Sequence, residues 1–215
     1  MTYDLIILDC DGVILDSNSL KSEMLAKTVE SYGSSLTDQF IEYHKQHGGI
    51  SRYQKFDYFL RSLVGHFSKS QYRALVSRFS NLVKEALISA PITPGAWDFL
   101  NHYSADTPVF LVSGGDEEEL RAIFKERNLT NFFCGIYGSP ETKVNHCSNI
   151  IRQFDTTIRG VFIGDSRLDY LAAQSCNLDF IFMSDFTDFK DWAQFCSDEN
   201  LRSTPNLGPL IGNLS

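Results

Sequence analysis

Leu5-Ile6-Ile7-Leu8-Asp9-Cys10-Asp11-Gly12-Val13, close to the N-terminus, is the stretch on which the reading of this chain turns. Its first four residues are a continuous apolar run that stops abruptly at an acid, the pattern of a strand buried on both faces of a parallel sheet. Three more such runs follow. Val109-Phe110-Leu111-Val112 stops at Ser113-Gly114-Gly115, Val161-Phe162-Ile163 at Gly164-Asp165, and Phe180-Ile181-Phe182-Met183 at Ser184-Asp185. Between them, Leu120, Ile123 and Phe124, and then Val144, Cys147, Ile150, Ile151 and Phe154, recur at helical spacing. Strands alternating with helices predict an α/β fold with a doubly wound, mainly parallel, Rossmann-like sheet. Ligands bind such sheets at the carboxyl ends of the strands, where these polar residues collect.

The segment from about Ser17 to Ala90 has no strand-like run. Tyr72, Leu75, Val76, Phe79, Leu82, Val83, Ala86 and Leu87 form an apolar stripe at spacings of three and four, and Ser68 with Gln71 marks that helix's start. A second helix carries Met24, Leu25, Thr28, Val29 and Tyr32 and ends at Gly33, while Pro91-Ile92-Thr93-Pro94-Gly95 halts helical structure. The expected organisation is an α/β core from residues 1–16 and 91–215 and an inserted all-helical cap from 17–90. The tail from Ser197 is open between a closing element and a loose end.

Asp9 and Asp11, two residues apart on an extended segment, can point to one side, where their repulsion calls for a cation; a hard divalent ion with oxygen ligands suits them. A surface turn would use the same residue types. Three further sites favour chemistry. Ser113 with two glycines behind it can bind an anion through its hydroxyl and neighbouring N–H groups at a helix start. Lys143 offers a positive charge, and Asp165 ends another strand with Asp169 one helical turn on.

In this order, Asp9-Cys10-Asp11-Gly12, Ser113, Lys143 and Gly164-Asp165 through Asp169 resemble the four motifs of the haloacid dehalogenase-like hydrolase superfamily over nearly the whole chain. The helical insertion resembles the C1-type cap of the branch containing phosphoglycolate phosphatases and β-phosphoglucomutases. The resemblance implies a phosphatase of small phosphorylated metabolites, with Asp9 as nucleophile forming an aspartyl-phosphate and Asp11 as general acid and base. It implies Mg²⁺ held by Asp9, the Asp11 carbonyl, Asp165 and Asp169, and a phosphoryl group held by Ser113, Gly114 and Lys143. Gly49, Ser51, Arg52 and Lys55 resemble the cap's specificity loop, and Arg52 is expected to contact the substrate through its planar fork. His47 reads as a loop histidine.

Other readings fit less well. A dehalogenase would not need Asp11, and the mutase branch has a histidine where this chain has Lys21. A receiver module has no insertion of this size, and a catalytically silent relative would not keep every expected polar group. The formal charge of −8 excludes nucleic-acid polymers and anionic membranes as first partners, and it divides unevenly: residues 17–90 carry +4 and the remainder −12. A basic cap over an acidic core suits a small anion. Five scattered cysteines without a CxxC pair read as free thiols. With no apolar leader or span, the expected location is the cytoplasm. The sequence sets no oligomeric state.

Overall fold

The structure, a computed structural model, describes residues 3–155 and 157–214. Six strands, β1 (Leu5–Leu8), β2 (Val109–Asp116), β3 (Gly135–Ser139), β4 (Gly160–Gly164), β5 (Asp179–Met183) and β6 (Arg202–Thr204), form one sheet in the order β3-β2-β1-β4-β5-β6. Every pairing is parallel. Because β1 lies between β2 and β4, the chain reverses its winding beside β1, and the crevice at that strand's carboxyl end is where such sheets take ligands. The register places Leu8 opposite both Leu111 and Ile163, so the chain leaves all three central strands at one level.

Alternation along the strands divides the core between two faces. Ile6, Leu8, Leu111 and Ile163 pack with Phe99 of α5 (Ala96–Tyr103) and Ile123 and Phe124 of α6 (Glu117–Glu126). Leu5, Ile7, Phe110 and Phe162 pack on the other side with α7 (Lys143–Ile151), α8 (Arg167–Ser175) and α9 (Trp192–Asp198). The tail is a closing element: β6 extends the sheet, and Leu207, Leu210 and Leu214 are buried.

Segment 17–90 is helical. It comprises α1 (Asn18–Val29), α2 (Ser34–Gln46), α3 (Arg52–Tyr58) with a π turn at Phe59–Leu63, and α4 (Lys69–Ser89). Leu75, Phe79, Val83 and Leu87, each four apart, form the buried face of α4, where Phe79 meets Phe56 edge-on. Phe40 and Phe59 complete this small aromatic core at 4.8 Å between centroids. The segment leaves and rejoins the sheet at one place: Asp16 N–H donates to the Pro91 carbonyl at 2.9 Å, Thr93 N–H to that of Ile14 at 3.0 Å, and Leu15 bridges Ile92. The Thr93 hydroxyl donates to the Val13 carbonyl. Among the described residues no helix is long and apolar enough to cross a membrane.

Candidate active site

Asp9 follows β1 directly, and its N–H extends the ladder to Ile163 at 3.0 Å. Its Oδ1 accepts from Cys10 N–H at 2.7 Å and lies 2.9 Å from Lys143 Nζ. Lys143 is the first residue of α7, whose N-cap is Thr142, and it is buried with its other contact to Asp169 Oδ1 at 2.5 Å. Asp169 is fixed by a reciprocal capping box: Ser166 N–H and hydroxyl donate to its Oδ2, and its own N–H donates back. Asp165, at the end of β4, accepts from the Asn18 amide at 2.7 Å.

Oxygen atoms of Asp9, Asp165 and Asp169 lie within 4.8 Å of one another, all three side chains being buried. Burial and the neighbouring Asp169 push Asp9 up to about 7, against the pull of Lys143, and burial with Asp9 and Asp169 pushes Asp165 well up. Lys143 alone therefore does not neutralise the cluster. Burial works against its charge, but Asp169 and Asp9 outweigh that and hold it protonated. An all-oxygen donor set with surplus negative charge fits a hard divalent cation such as Mg²⁺.

Gly12 allows the loop to turn back over this cluster. Its φ is +74°, and a Cβ there would stand 2.4 Å from Asp165 Oδ2. Asp11 emerges beside it and is held by a short ion pair to Lys21 of α1, 2.5 Å, and by the Ser17 hydroxyl, 2.5 Å. Burial would raise Asp11, but Lys21 and Ser17 prevail and hold it below the usual carboxylate range. Ser113 is not at a helix start: β2 continues through Asp116, which caps α6 by accepting from Glu119 N–H at 3.1 Å. The strand runs on because Asp116 still pairs with Ser139 of β3 beyond a register shift. Ser113 is buried, and its hydroxyl accepts from Gly115 N–H at 3.1 Å.

A cavity of about 160 Å³ lies between the sheet ends and the insertion, with Asp9, Asp11, Gly114 and Asp165 on one wall and Gly49, Arg52 and Lys55 on the other. Ser113, Lys143 and Asp169 stand behind that first wall, and Ser51 serves as N-cap of α3. The two walls touch where a Cβ on Gly114 would stand 2.1 Å from the Gly49 carbonyl oxygen.

Arg52 is neither a solvated surface residue nor a free fork. Both its terminal nitrogens are on Glu119 of α6, at 2.9 and 2.6 Å, one also meets Ser80, and its guanidinium lies over Phe79. Glu119 therefore takes the bidentate partnership expected for substrate. Tyr53 adds a second tie across the walls, donating to Asp116 at 2.7 Å. Lys55 points inward and meets His44 of α2 at 2.7 Å. His47 sits at the end of α2, stacked on Tyr43 and bonded to its carbonyl. Sequence reasoning missed Asn18 and His44 and saw Lys21 only as a departure from the mutase pattern. Two acids and an N-terminal helix start were the sole sequence signal for Lys21 and Asn18, and nothing local marks His44.

The family model described as haloacid dehalogenase-like hydrolase matches residues 6–183. No match is found among curated proteins. Among solved structures, a provisionally named haloacid dehalogenase-like hydrolase from Bacteroides fragilis superimposes with a TM-score of 0.76 at 18% identity, covering 97% of this chain and 100% of its own. A provisionally named phosphoglycolate phosphatase from Lactobacillus plantarum gives 0.72 at 14% identity over 99% of both chains. A magnesium-bound hydrolase of this type from Bacillus subtilis, described as showing interdomain movement, gives 0.63 at 19% identity over 85% of this chain and 89% of its own. At these identities the superpositions show a shared fold. With the family model spanning both the sheet and the insertion, the chain belongs to the haloacid dehalogenase-like hydrolases.

Proposed function

We propose that the protein is a Mg²⁺-dependent phosphatase of small phosphomonoesters, with residues 17–90 acting as the cap. The observation that carries this reading is the buried Asp9–Lys143–Asp169 constellation beneath a small cavity, with a second, separately held carboxylate, Asp11, on the cavity wall. An oxygen of Asp9 attacks phosphorus and forms an aspartyl-phosphate as the ester oxygen leaves with a proton from Asp11. A water molecule that gives its proton to Asp11 then attacks phosphorus, returning Asp9 and inorganic phosphate.

Lys21 keeps Asp11 ionised, the form that accepts a proton from water. A dianionic phosphoryl group beside Asp11 opposes that ionisation and favours the proton needed for the first step. Lys143, with the Gly114 N–H and Ser113, would hold phosphoryl oxygens. Asp9, Asp165 and Asp169, with the Asp11 carbonyl, would hold Mg²⁺, which when bound offsets phosphoryl charge. The cavity suits a small ester.

The test is phosphate release from a panel of phosphomonoesters with and without Mg²⁺. Turnover is expected to need the cation and to fall at least about a thousandfold in Asp9→Asn. Turnover that persists in Asp9→Asn would refute the aspartyl-phosphate route.

A further inference from the structure

The three acids of the cluster are not held alike. Asp9 and Asp169 are fixed from the sheet side, by Cys10, Lys143 and Ser166. Asp165 is held by Asn18, the first residue of α1 and so of the insertion. The Asn18 amide nitrogen lies 2.7 Å from Asp165 Oδ2 and 2.7 Å from the carbonyl of Phe186, in the loop after β5. A carbonyl and an ionised carboxylate only accept, so the amide presents its nitrogen to both and spends its two hydrogens there. The helix itself makes no use of this side chain: Ser17 stands at the N-cap, and Met24, Leu25 and Val29 bury α1.

Asp165 is braced twice more. The Thr187 hydroxyl donates to its main-chain carbonyl at 2.6 Å. Gly12 folds over Oδ2 so closely that a Cβ there would stand 2.4 Å from that oxygen and 2.8 Å from the Asn18 nitrogen. Oδ2 is therefore enclosed between Gly12 and Asn18, and Oδ1 is the oxygen left to a cation. That asymmetry matters because the common hard cations differ in what they ask of a carboxylate. Mg²⁺ takes six ligands in strict octahedral geometry at about 2.0–2.1 Å, whereas Ca²⁺ takes six to eight at about 2.3–2.6 Å and readily binds both oxygens of one carboxylate.

We propose that Asn18 is a positioning residue that confines Asp165 to one metal bond, through Oδ1, and thereby biases the site toward Mg²⁺ and against Ca²⁺. This rests on the reading that Asp9, Asp165 and Asp169 hold a divalent cation. A carboxylate with one oxygen tied to an amide cannot chelate, and it cannot swing outward to accommodate a larger ion. Because Asn18 belongs to α1, the segment above the cavity also tunes the metal preference of the strand ends beneath it.

The test is calorimetric titration of the wild type and Asn18→Leu with Mg²⁺ and with Ca²⁺, without substrate; Asp165→Asn supplies the heat of binding elsewhere on the protein. Leucine fills the space without a donor, so no water takes the amide's place, and Asn18→Ala is used if that variant does not fold. The variant is expected to bind Mg²⁺ about tenfold more weakly while its affinity for Ca²⁺ stays the same or rises, so the ratio of the two dissociation constants shifts about tenfold toward Ca²⁺. A merely structural role would weaken both cations together. A ratio within about threefold of wild type overturns the proposal. Phosphate release from the same proteins separates the two readings. Turnover that needs Mg²⁺, with an unmoved cation ratio, overturns the role of Asn18 alone. A shifted ratio with no turnover of any ester keeps that role and overturns the phosphatase reading, and a wild type that binds neither cation overturns both.

Discussion

Gly114 is the residue at which one methyl group separates the chemistry of the sheet from the position of the insertion. In Gly114→Ala the N–H proposed to face the phosphoryl group remains, and the strand backbone accepts alanine, since Gly114 does not occupy the left-handed region. The new Cβ, however, would stand 2.1 Å from the Gly49 oxygen and 2.9 Å from its carbonyl carbon. Both obstacles are backbone, so no rotamer relieves them. Restoring a tolerable approach requires the Gly49 loop to retreat by about 1 Å, still short of ordinary contact. That retreat withdraws the wall carrying Lys55 and loosens the Arg52–Glu119 and Tyr53–Asp116 ties. Misplacement on this scale lowers kcat/KM by about a hundredfold, or about 2.7 kcal/mol. The melting temperature should move by no more than about 4 °C, because the retreat is about 1 Å and starts in the Gly49 loop, leaving closed the apolar cluster that the insertion shares with the sheet. Steady-state hydrolysis of p-nitrophenyl phosphate with Mg²⁺ is a suitable assay. Gly48→Ala is the control, since its Cβ meets Ser166 at an ordinary 3.4 Å, and it should stay within about threefold of wild type. Activity of Gly114→Ala within that same range would show that the Gly49 loop does not rest on β2 during turnover.

The carboxylate cluster makes stability depend on pH in a defined sense. Asp9 is raised to about 7, so between pH 4 and 7 the folded state holds a proton that the unfolded state has released, and metal-free stability from this group falls as pH rises through that window. Mg²⁺ should therefore raise the melting temperature more at pH 7.5 than at pH 5; equal shifts measured by calorimetry would refute the assignment of the cluster to a cation. Arg52 and Glu119 are 3% and 10% exposed, so Arg52→Ala or Glu119→Ala alone should lose about 3–5 kcal/mol in urea unfolding, and the double variant less than the two losses added. Strict additivity would show that the pair is not coupled.

The four central strands were legible because each is a short apolar run buried on both faces, and the residues that end them mark the crevice. β3 and β6 were not, for a physical reason: both are edge strands. Gly135-Ile136-Tyr137-Gly138-Ser139 carries two glycines, and Arg202-Ser203-Thr204 is polar, so neither has a continuous apolar run. The α4 stripe was readable since its packing repeats every turn. Asp9 and Asp165 were readable because each directly follows a buried apolar strand, and Asp169 because it lies within the first turn of the helix after Asp165. Contacts across the cavity follow no such rule: Arg52 meets Glu119 67 positions away and Asn18 meets Asp165 147 positions away. His44 occupies an unremarkable place in α2, and the lysine it meets comes from the next helix. A fork-shaped donor in a glycine-rich loop suggested a ligand for Arg52; only the placement of α6 beside α3 shows that a glutamate already fills it.

The bridge between Leu15 and Ile92 has a consequence for how the chain assembles. β1 and β2 are neighbours in the sheet, yet 100 residues lie between Leu8 and Val109, 74 of them in the segment 17–90. Once that segment has folded and drawn its two ends together, the loop still to be closed is about a quarter as long, which lowers the entropic barrier to pairing by about 1 kcal/mol. The insertion thus imposes little delay on a sheet whose central pair is interrupted by it. The same adjacency makes the two joints a natural exchange point: any helical unit whose ends meet at this spacing can be spliced there, altering what enters the crevice while the strand ends stay where they are.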